Sequence, residues 1–377
     1  MNNSVPQSNL DMQRIGTVVI GGGQAGLATG YYLQRMDEEF VILEGDDRVG
    51  DSWRRRWDSL RLFSLPRYAS LPRWRIQGRT CPTRDEMADY LEQYALRFRL
   101  PVRCGVRVTR LTARGEMFLV VTDQGSFVAD RVVVATGAHQ RPRVPSYAGD
   151  LAPSVRQFHS LDYRNPEQFA PGNVLVVGAA NSGTDIALEA ARTHRTWLAG
   201  RHPGQVPIDI DSPRARPVVP IVMFAFKHVL TLRTPMGRAR RSELQGHGVG
   251  LVRNKLEHLD AAGITRVGRI AGCSAGRPVT DDGEVLEVST VVWCTGSDPD
   301  YDWLGLPVIG QDGRPRHHRG VAVDQPGLYF IGLEFQFALA SATIQGVDRD
   351  ARFVVRQIGR HRSAHRATGA AQPVTVG

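Results

Sequence analysis

One short design, a strand running through a glycine turn into a helix, is written twice in this chain: GTVVIGGGQAGLATGYYL from Gly16 to Leu33, and NVLVVGAANSGTDIAL from Asn173 to Leu188. In the first copy an apolar run, Thr17 to Ile20, enters Gly21, Gly23 and Gly26, spaced GxGxxG, and leaves in the helical pattern AGLATGYYLQRM. The glycines have separate tasks. Gly21 permits the tight turn, Gly23 lets the backbone approach a pyrophosphate, and Gly26 lets the helix pack closely on the strand. Free N–H groups at the start of the helix, around Gln24 and Ala25, then hold the anion. The next strand, FVILE, ends on Glu44, 23 residues beyond Gly21. An acid at that distance accepts the hydroxyls of an adenosine ribose.

In the second copy Gly178 follows NVLVV and precedes SGTDIALEAA, and the next strand, TWLAGR, reaches Arg201, again 23 residues on. Arg201 thus holds the register of Glu44. A carboxylate repels a 2'-phosphate, whereas a guanidinium pairs with one, so the first site should hold FAD and the second NADPH. The plain alternative is a solvated arginine at a strand end.

The parallel continues. FLVVTDQGSFVADRVVVATG is a hairpin turned at Asp123 to Gly125 with a return strand ending in Ala135, Thr136 and Gly137; RIAGCSAGRPVTDDGEVLEVSTVVWCTG is a hairpin turned at Asp281 to Gly283 with a return strand ending in Cys294, Thr295 and Gly296. These return glycines lie 116 residues after Gly21 and 118 after Gly178. The expected fold is α/β, with two Rossmann-like dinucleotide-binding domains, each a doubly wound parallel sheet with a small β-meander. RPRVP, ending at Pro145, breaks regular structure between them. The segment GLYFIGLEFQFALASATIQGVDRDARFVV returns to complete the first domain beside the flavin. The expected boundaries are 1–143 and 299–377 for a discontinuous FAD domain, and 144–298 for the NADPH domain.

Composition narrows the partners. The net charge is +9, but 45 of the 47 basic residues are arginine, with Lys227 and Lys255 the exceptions. Coding rich in G and C, as in many bacterial genomes, accounts for that bias. No aromatic–basic module accompanies it, so nucleic acid is not an expected partner. No apolar run reaches the roughly 18 to 20 residues of a membrane span. The nearest, PVVPIVMFAFKHVLTL from Pro217 to Leu232, is interrupted by Lys227 and His228 and reads as a buried helix or the wall of a substrate cavity. The N-terminus lacks a secretory pattern. Cys81, Cys104, Cys273 and Cys294 are far apart and form no CxxC, which argues against a metal site or a dithiol centre and points to a cytoplasmic protein.

Taken together, GGGQAG (Gly21 to Gly26), GDSW (Gly50 to Trp53), VVVATG (Val132 to Gly137), FHSLDYRNP (Phe158 to Pro166), VVGAANSG (Val176 to Gly183), VVWCTG (Val291 to Gly296) and GLYFIG (Gly327 to Gly332) occur in an order that resembles the flavin-containing monooxygenase superfamily, its short bacterial and plant-type members especially. The resemblance implies that Gly21, Gly23, Gly26, Glu44, Gly50, Ser52, Trp53 and Gly332 serve FAD. It implies that Gly178, Asn181, Ser182, Gly183 and Arg201 serve NADPH, and that the turns at Gly137 and Gly296 link the domains. The family fingerprint FxGxxxHxxx(Y/F) is met at His159 and Tyr163, with Pro153 and Val155 where Phe and Gly are usual. His159 is then either an orienting hinge residue or a hydrogen-bonded linker histidine. Tyr163, where many Baeyer-Villiger enzymes have tryptophan, favours oxygenation of a heteroatom. Two departures stand out: Ala180 replaces the middle glycine of the second motif, and RLFSLPRYASLP, Arg61 to Pro72, lacks the asparagine that many members carry near the flavin.

The activity so implied is an NADPH-dependent, FAD-containing monooxygenase. It would form a flavin C4a-hydroperoxide with O2 and oxygenate a small organic substrate at nitrogen or sulfur. Baeyer-Villiger oxygenation of a ketone, and a flavoprotein reductase or electron carrier without oxygenation, remain alternatives. The substrate pocket is expected between Arg61 to Arg79 and the excursion from Pro207 to Leu259.

Overall fold

A computed structural model describes residues 12–206, 217–244 and 250–369. Strand β1 (Met12–Ile20) leads into helix α1 (Gln24–Gln34), β2 (Phe40–Leu43), the short α2 (Asp51–Arg54) and α3 (Arg84–Arg97). Then come β3 (Val102–Arg103), β4 (Val108–Arg114), β5 (Met117–Thr122), β6 (Gly125–Val134) and the linker strand β7 (Arg141–Pro142). The second half holds β8 (Arg156–His159), β9 (Val174–Val177), α4 (Asn181–Ala190), β10 (Thr196–Ala199), α5 (Val219–Phe224), α6 (Pro235–Leu244) and α7 (Leu256–Ala261). It continues through β11 (Thr265–Val267), β12 (Ile270–Ser274), β13 (Arg277–Thr280) and β14 (Thr290–Trp293). The chain ends with β15 (Ser297–Asp298), β16 (His317–His318), β17 (Val321–Ala322), β18 (Leu328–Phe330) and α8 (Ile344–Gly369).

The first sheet has the order β16-β17-β18-β6-β1-β2-β3, with β4 and β5 branching from β6. Its central strands are parallel and apolar on both faces, as a sheet covered on both sides requires. Val18, Ile20, Val41, Leu43, Val132 and Val134 point into one core. Val19, Ile42 and Val133 point into the other, where Leu27 and Tyr31 of α1 meet Val347, Val354 and Ile358 of α8. Thus strands from the C-terminal third share a sheet with the first glycine turn. Beneath that sheet Arg131 Nη2 meets Glu38 Oε1 at 2.5 Å, both side chains buried, and Thr17 Oγ1 donates to the same carboxylate at 2.9 Å.

The second sheet, β11-β10-β9-β14-β8, is parallel throughout. Strand β8 precedes β9 in sequence yet takes the place beside β14 that β18 takes beside β6, so the copies draw their fifth strand from opposite ends. The meanders also differ. In the first, β4, β5 and β6 form three full antiparallel strands. In the second, β12 and β13 turn at Ala275 and Gly276, and the third strand shrinks to a bridge between Val279 and Val285. The physical difference is continuity: β6 serves hairpin and central sheet without a break, whereas the chain after Gly283 bends before β14 begins.

RPRVP does not wholly break regular structure: β7 pairs antiparallel with β15, placing Arg141 opposite Asp298. The pairing is locked by an Arg143–Asp298 ion pair, by the Arg143 N–H donating to the Gly296 carbonyl at 3.0 Å, and by Arg141 against Asp300 at 2.8 Å. The stretch Pro217 to Leu232 is also not a buried helix. It forms α5 and a π-helical turn, Ala225–Val229, with Ile221 68% and Phe224 60% exposed. Their apolar character drew a burial reading, but only Val219 of α5 is buried.

Candidate cofactor and substrate sites

At the first glycine turn, the Gly21 N–H donates to the Leu43 carbonyl at 2.8 Å, and the Ala135 N–H donates to the Ile20 carbonyl at 2.8 Å. At the second, the Gly178 N–H donates to the Ala199 carbonyl at 2.8 Å, and the Cys294 N–H to the Val177 carbonyl at 2.7 Å. The two turns are the same object built twice. Gly21 (φ +106) and Gly178 (φ +114) both occupy the left-handed region that admits glycine. A Cβ on Gly26 would stand 1.9 Å from the Gly21 oxygen, and one on Gly183 would stand 1.7 Å from the Gly178 oxygen, so helix and strand touch without side chains between them.

Gly23 differs, because a Cβ there would meet nothing within 4 Å. It opens a cradle at the N-terminus of α1, where no side chain caps the helix and no acid sits in the first turn. Helix α4 shares those features, with Ala180 as its N-cap. By contrast α3 begins with a capping box of Thr83 and Glu86 and has Asp85 in its first turn. A helix start left bare of caps and acids presents N–H groups and positive potential to an anion, so both units fit a dinucleotide pyrophosphate. Ala180 (φ −85, ψ −172) has nearly the backbone of Gly23 (φ −73, ψ −172), so its methyl changes space and not conformation.

Glu44 sits just beyond β2, and its carboxylate accepts the N–H of Gly22 at 2.6 Å and of Asp46 at 3.0 Å. Burial raises its pKa, while those two N–H groups pull the other way. Each oxygen keeps a lone pair for a ribose hydroxyl. Arg201 follows β10 after Gly200, exposed and without an ion pair to any described residue. Gly50 caps α2, its α-carbon backed onto Ala88, where a Cβ would lie 2.5 Å from the carbonyl oxygen. Ser52 is exposed, while Trp53 packs against the cores of both units. Gly332 faces the Cβ of Ala25 at 3.2 Å from its own notional Cβ, at the head of α1. Gly137 and Gly296 follow the ends of β6 and β14, and Gly137 has nothing near its own notional Cβ.

A profile of pyridine nucleotide-disulphide oxidoreductases matches residues 18–205. An uncharacterized oxidoreductase, CzcO-like, of Geobacillus kaustophilus (strain HTA426) is 36% identical over 352 residues, 92% of this chain and 99% of that protein. A flavin-containing monooxygenase from Stenotrophomonas maltophilia superimposes with a TM-score of 0.75 at 30% identity, over 93% of this chain and 99% of its own. The chain belongs to the flavin-containing monooxygenase family. Indole-3-pyruvate monooxygenase YUCCA1 of Oryza sativa subsp. japonica is also similar, 32% identical over 198 residues, 51% of this chain and 49% of that one. Family membership makes the chain a flavin-dependent oxidoreductase and implies a flavin and a nicotinamide cofactor.

In this monooxygenase the fingerprint residues are bound into the structure. His159 is 4% exposed; its Nε2 meets the Gly296 carbonyl at 3.0 Å, and its Nδ1 accepts the Leu161 N–H at 3.2 Å. That pattern fixes a neutral ring protonated at Nε2, and burial lowers its pKa. Tyr163 is fully buried, stacked on Phe158 and Phe169, and donates to Glu189 Oε2 at 2.7 Å. It has no surface from which to touch a substrate, which corrects its place among catalytic candidates. Asn181 is engaged within the chain: its amide donates to the Gly250 carbonyl at 3.3 Å and accepts the Val252 N–H at 3.0 Å, pinning the return of the excursion. Ser182 is half-buried on the first turn of α4.

The arginine run Trp53 to Arg61 divides. Arg54 and Arg55 pair with carboxylates, Arg54 with Asp51, Asp89 and Glu92, and Arg55 with Asp46. Arg56 has no carboxylate partner among the described residues, and burial together with Arg55 and Arg164 lowers its pKa. Arg61 also has no carboxylate partner among the described residues, and its Nη1 donates to the Cys81 carbonyl at 3.1 Å. Of the two segments expected to build the substrate pocket, Arg61 to Arg79 contributes nothing to the cavity that the excursion from Pro207 to Leu259 helps to line. That cavity is lined from the excursion by His228, Thr231 and Arg233, but its other wall is Arg319, Phe337 and Arg349. Residues 207–216 and 245–249 of the expected excursion lie outside the described residues. Among the described residues no helix is long and apolar enough to cross a membrane. No group of three His, Cys, Asp or Glu residues among them is placed to hold a metal ion.

Proposed function

We propose that the protein is an NADPH-dependent monooxygenase that holds FAD at the first turn and oxygenates a small organic molecule at nitrogen or sulfur. The observation that carries this reading is the exchange at one register of two otherwise matching units. In one, Glu44 is fixed by two backbone N–H groups to receive ribose hydroxyls; in the other, Arg201 stands exposed to receive a 2'-phosphate. Gly21, Gly23, Gln24, Ala25 and Gly26 would cradle the FAD pyrophosphate, with Gly50, Ser52, Trp53, Gly137 and Gly332 around the rest of the cofactor. Gly178, Ser182 and Gly183 would hold the NADPH pyrophosphate, with Asn181 shaping that site and Gly296 at its edge. Bound there, the flavin supplies hydride acceptance from NADPH and activation of O2. The protein supplies orientation and exclusion of water. His159 acts as a positioning residue, tying the Gly296 turn to β8, and the paired linkers β7 and β15 set the approach of one unit to the other.

The deciding experiment is anaerobic reduction of the FAD-loaded protein by NADPH, followed by mixing with oxygen in stopped flow. A lag before the oxidised flavin spectrum returns, lengthened by NADP+, supports the oxygenase, as does incorporation of one 18O atom from labelled O2 into an amine or sulfide. Immediate return of the spectrum with stoichiometric hydrogen peroxide refutes it in favour of a reductase. Label entering ketones as esters instead would move the activity to the Baeyer-Villiger class.

A further inference from the structure

The cavity between the excursion and the first unit has about 320 Å³ of space and an unusual wall. Its two sides are stitched by backbone, with the Leu232 N–H on the Phe337 carbonyl at 2.9 Å and the Leu339 N–H on the Leu230 carbonyl at 3.0 Å, so the wall is rigid. The ring of Phe337, buried, is surrounded by cations. The guanidinium carbons of Arg319, Arg349 and Arg233 lie 3.9, 4.4 and 5.7 Å from its centroid. Arg319 stands as close, 3.9 Å, to the ring of Phe353.

A stacked guanidinium spends its face on the ring and keeps its N–H donors in plane for another partner. Here several of those donors have none. Arg319 Nε and Arg349 Nε and Nη2 are buried without a hydrogen-bond partner, while Arg349 Nη1 is satisfied by the Lys227 carbonyl. Two carboxylates act on the cluster: Asp350, whose Oδ1 is 3.7 Å from Arg349 Nε, longer than a hydrogen bond, and Asp348, which is already engaged by Tyr32 and Arg352. Three fixed cations therefore outnumber the two carboxylates near them in a half-enclosed space. Burial lowers the pKa of Arg319 and Arg349, with Arg233 and Arg349 adding repulsion at Arg319. Both nevertheless stay charged at neutral pH. Uncompensated like charges in such a space are stabilised by an anion of matching shape, and the planar fork of arginine matches a carboxylate.

We propose that this cavity binds the carboxylate of a small organic acid, gripped by the guanidinium of Arg319 where it lines the space, with Arg233 and Arg349 adding positive charge and the apolar body of the acid against Phe337. This goes beyond the oxygenase reading, and its test needs no turnover. The flavin-loaded protein is titrated by calorimetry with 3-phenylpropionate and with its neutral amide. The acid is expected to bind at least about tenfold more tightly than the amide, and Arg319→Gln to remove about that factor. Equal binding of acid and amide overturns the proposal, as does an unchanged affinity for the acid in Arg319→Gln. If Arg319→Gln fails to fold, Arg233→Gln, at an exposed position, carries the same comparison: a severalfold loss supports the site and no change overturns it. Inorganic phosphate binding as tightly as 3-phenylpropionate would also overturn it, because Phe337 would then have no role.

Discussion

Adding one methyl group at residue 23 should abolish flavin retention while leaving the fold intact, and the same methyl at residue 26 should damage both. A Cβ at Gly23 meets no atom within 4 Å, and its backbone (φ −73, ψ −172) accepts any L-residue. The gain from a stiffer unfolded chain, about 0.4–1 kcal/mol, roughly offsets the weaker N-cap, so apoprotein stability should change by less than about 1 kcal/mol. The new methyl, however, stands where a phosphate must approach to about 2.9 Å of the helix N–H groups. Losing two charge-assisted hydrogen bonds at about 1.5–3 kcal/mol each weakens FAD binding at least about a hundredfold. At Gly26 the added Cβ would fall 1.9 Å from the Gly21 carbonyl oxygen. Against a normal contact of about 3.4 Å, α1 would have to retreat roughly 1.5 Å, at a cost of about 1–3 kcal/mol or more. Urea denaturation of both apoproteins and fluorescence titration with FAD read the two quantities separately. The reasoning is refuted if Gly23→Ala binds FAD within threefold of the parent, or if its apoprotein is destabilised as much as Gly26→Ala.

At the second turn, Ala180→Gly should tighten NADPH binding, whereas Arg201→Glu should raise KM for NADPH much more than for NADH; equal effects on both coenzymes would remove the 2'-phosphate assignment. Arg131→Met leaves Glu38 buried without its cation and should cost about 3–5 kcal/mol in urea denaturation, with the double replacement of Arg131 and Glu38 by apolar residues recovering most of it. Asp185, buried in α4, has its pKa raised to about 6 by desolvation, with Arg253 and Asn254 opposing. A raised acid favours the folded state when protonated, so its contribution is complete below about pH 4 and is lost as pH rises towards 6, roughly 3 kcal/mol in all. Asp185→Asn should flatten the stability profile across that window; parallel profiles for variant and parent would exclude the effect.

The glycine turns and their flanking strands were legible because local signals agree there. An apolar run stops at Gly21 or Gly178, a helical pattern begins, and Glu44 or Arg201 follows at a fixed distance. What was not legible depends on partners far away in the chain. Nothing local tells that β8, with Phe158 its one large apolar residue, becomes the outer strand beside β14. Nor does the sequence around Trp57 and Leu60 reveal that both are buried in the core of the second unit, with the Asp58 N–H bonded to the Arg164 carbonyl at 2.8 Å. Nothing in the sequence groups Arg233, Arg319 and Arg349, because their common neighbour, Phe337, is supplied by tertiary folding. Ile221 and Phe224 looked buried because apolar composition without a clear period does not say which face is covered.

The antiparallel linkers give the molecule an evolutionary handle. Since Arg141 lies opposite Asp298, the chain leaves the first sheet and re-enters it at one doorway, and everything between is topologically a single long insertion. Its ends are already adjacent, the condition under which insertions are tolerated or exchanged. A coenzyme preference could therefore be transplanted as one cassette, with the order of strands in the host sheet untouched. Such a graft would have to bring a surface for Trp57 and Leu60, the two side chains that the host has already committed to its guest.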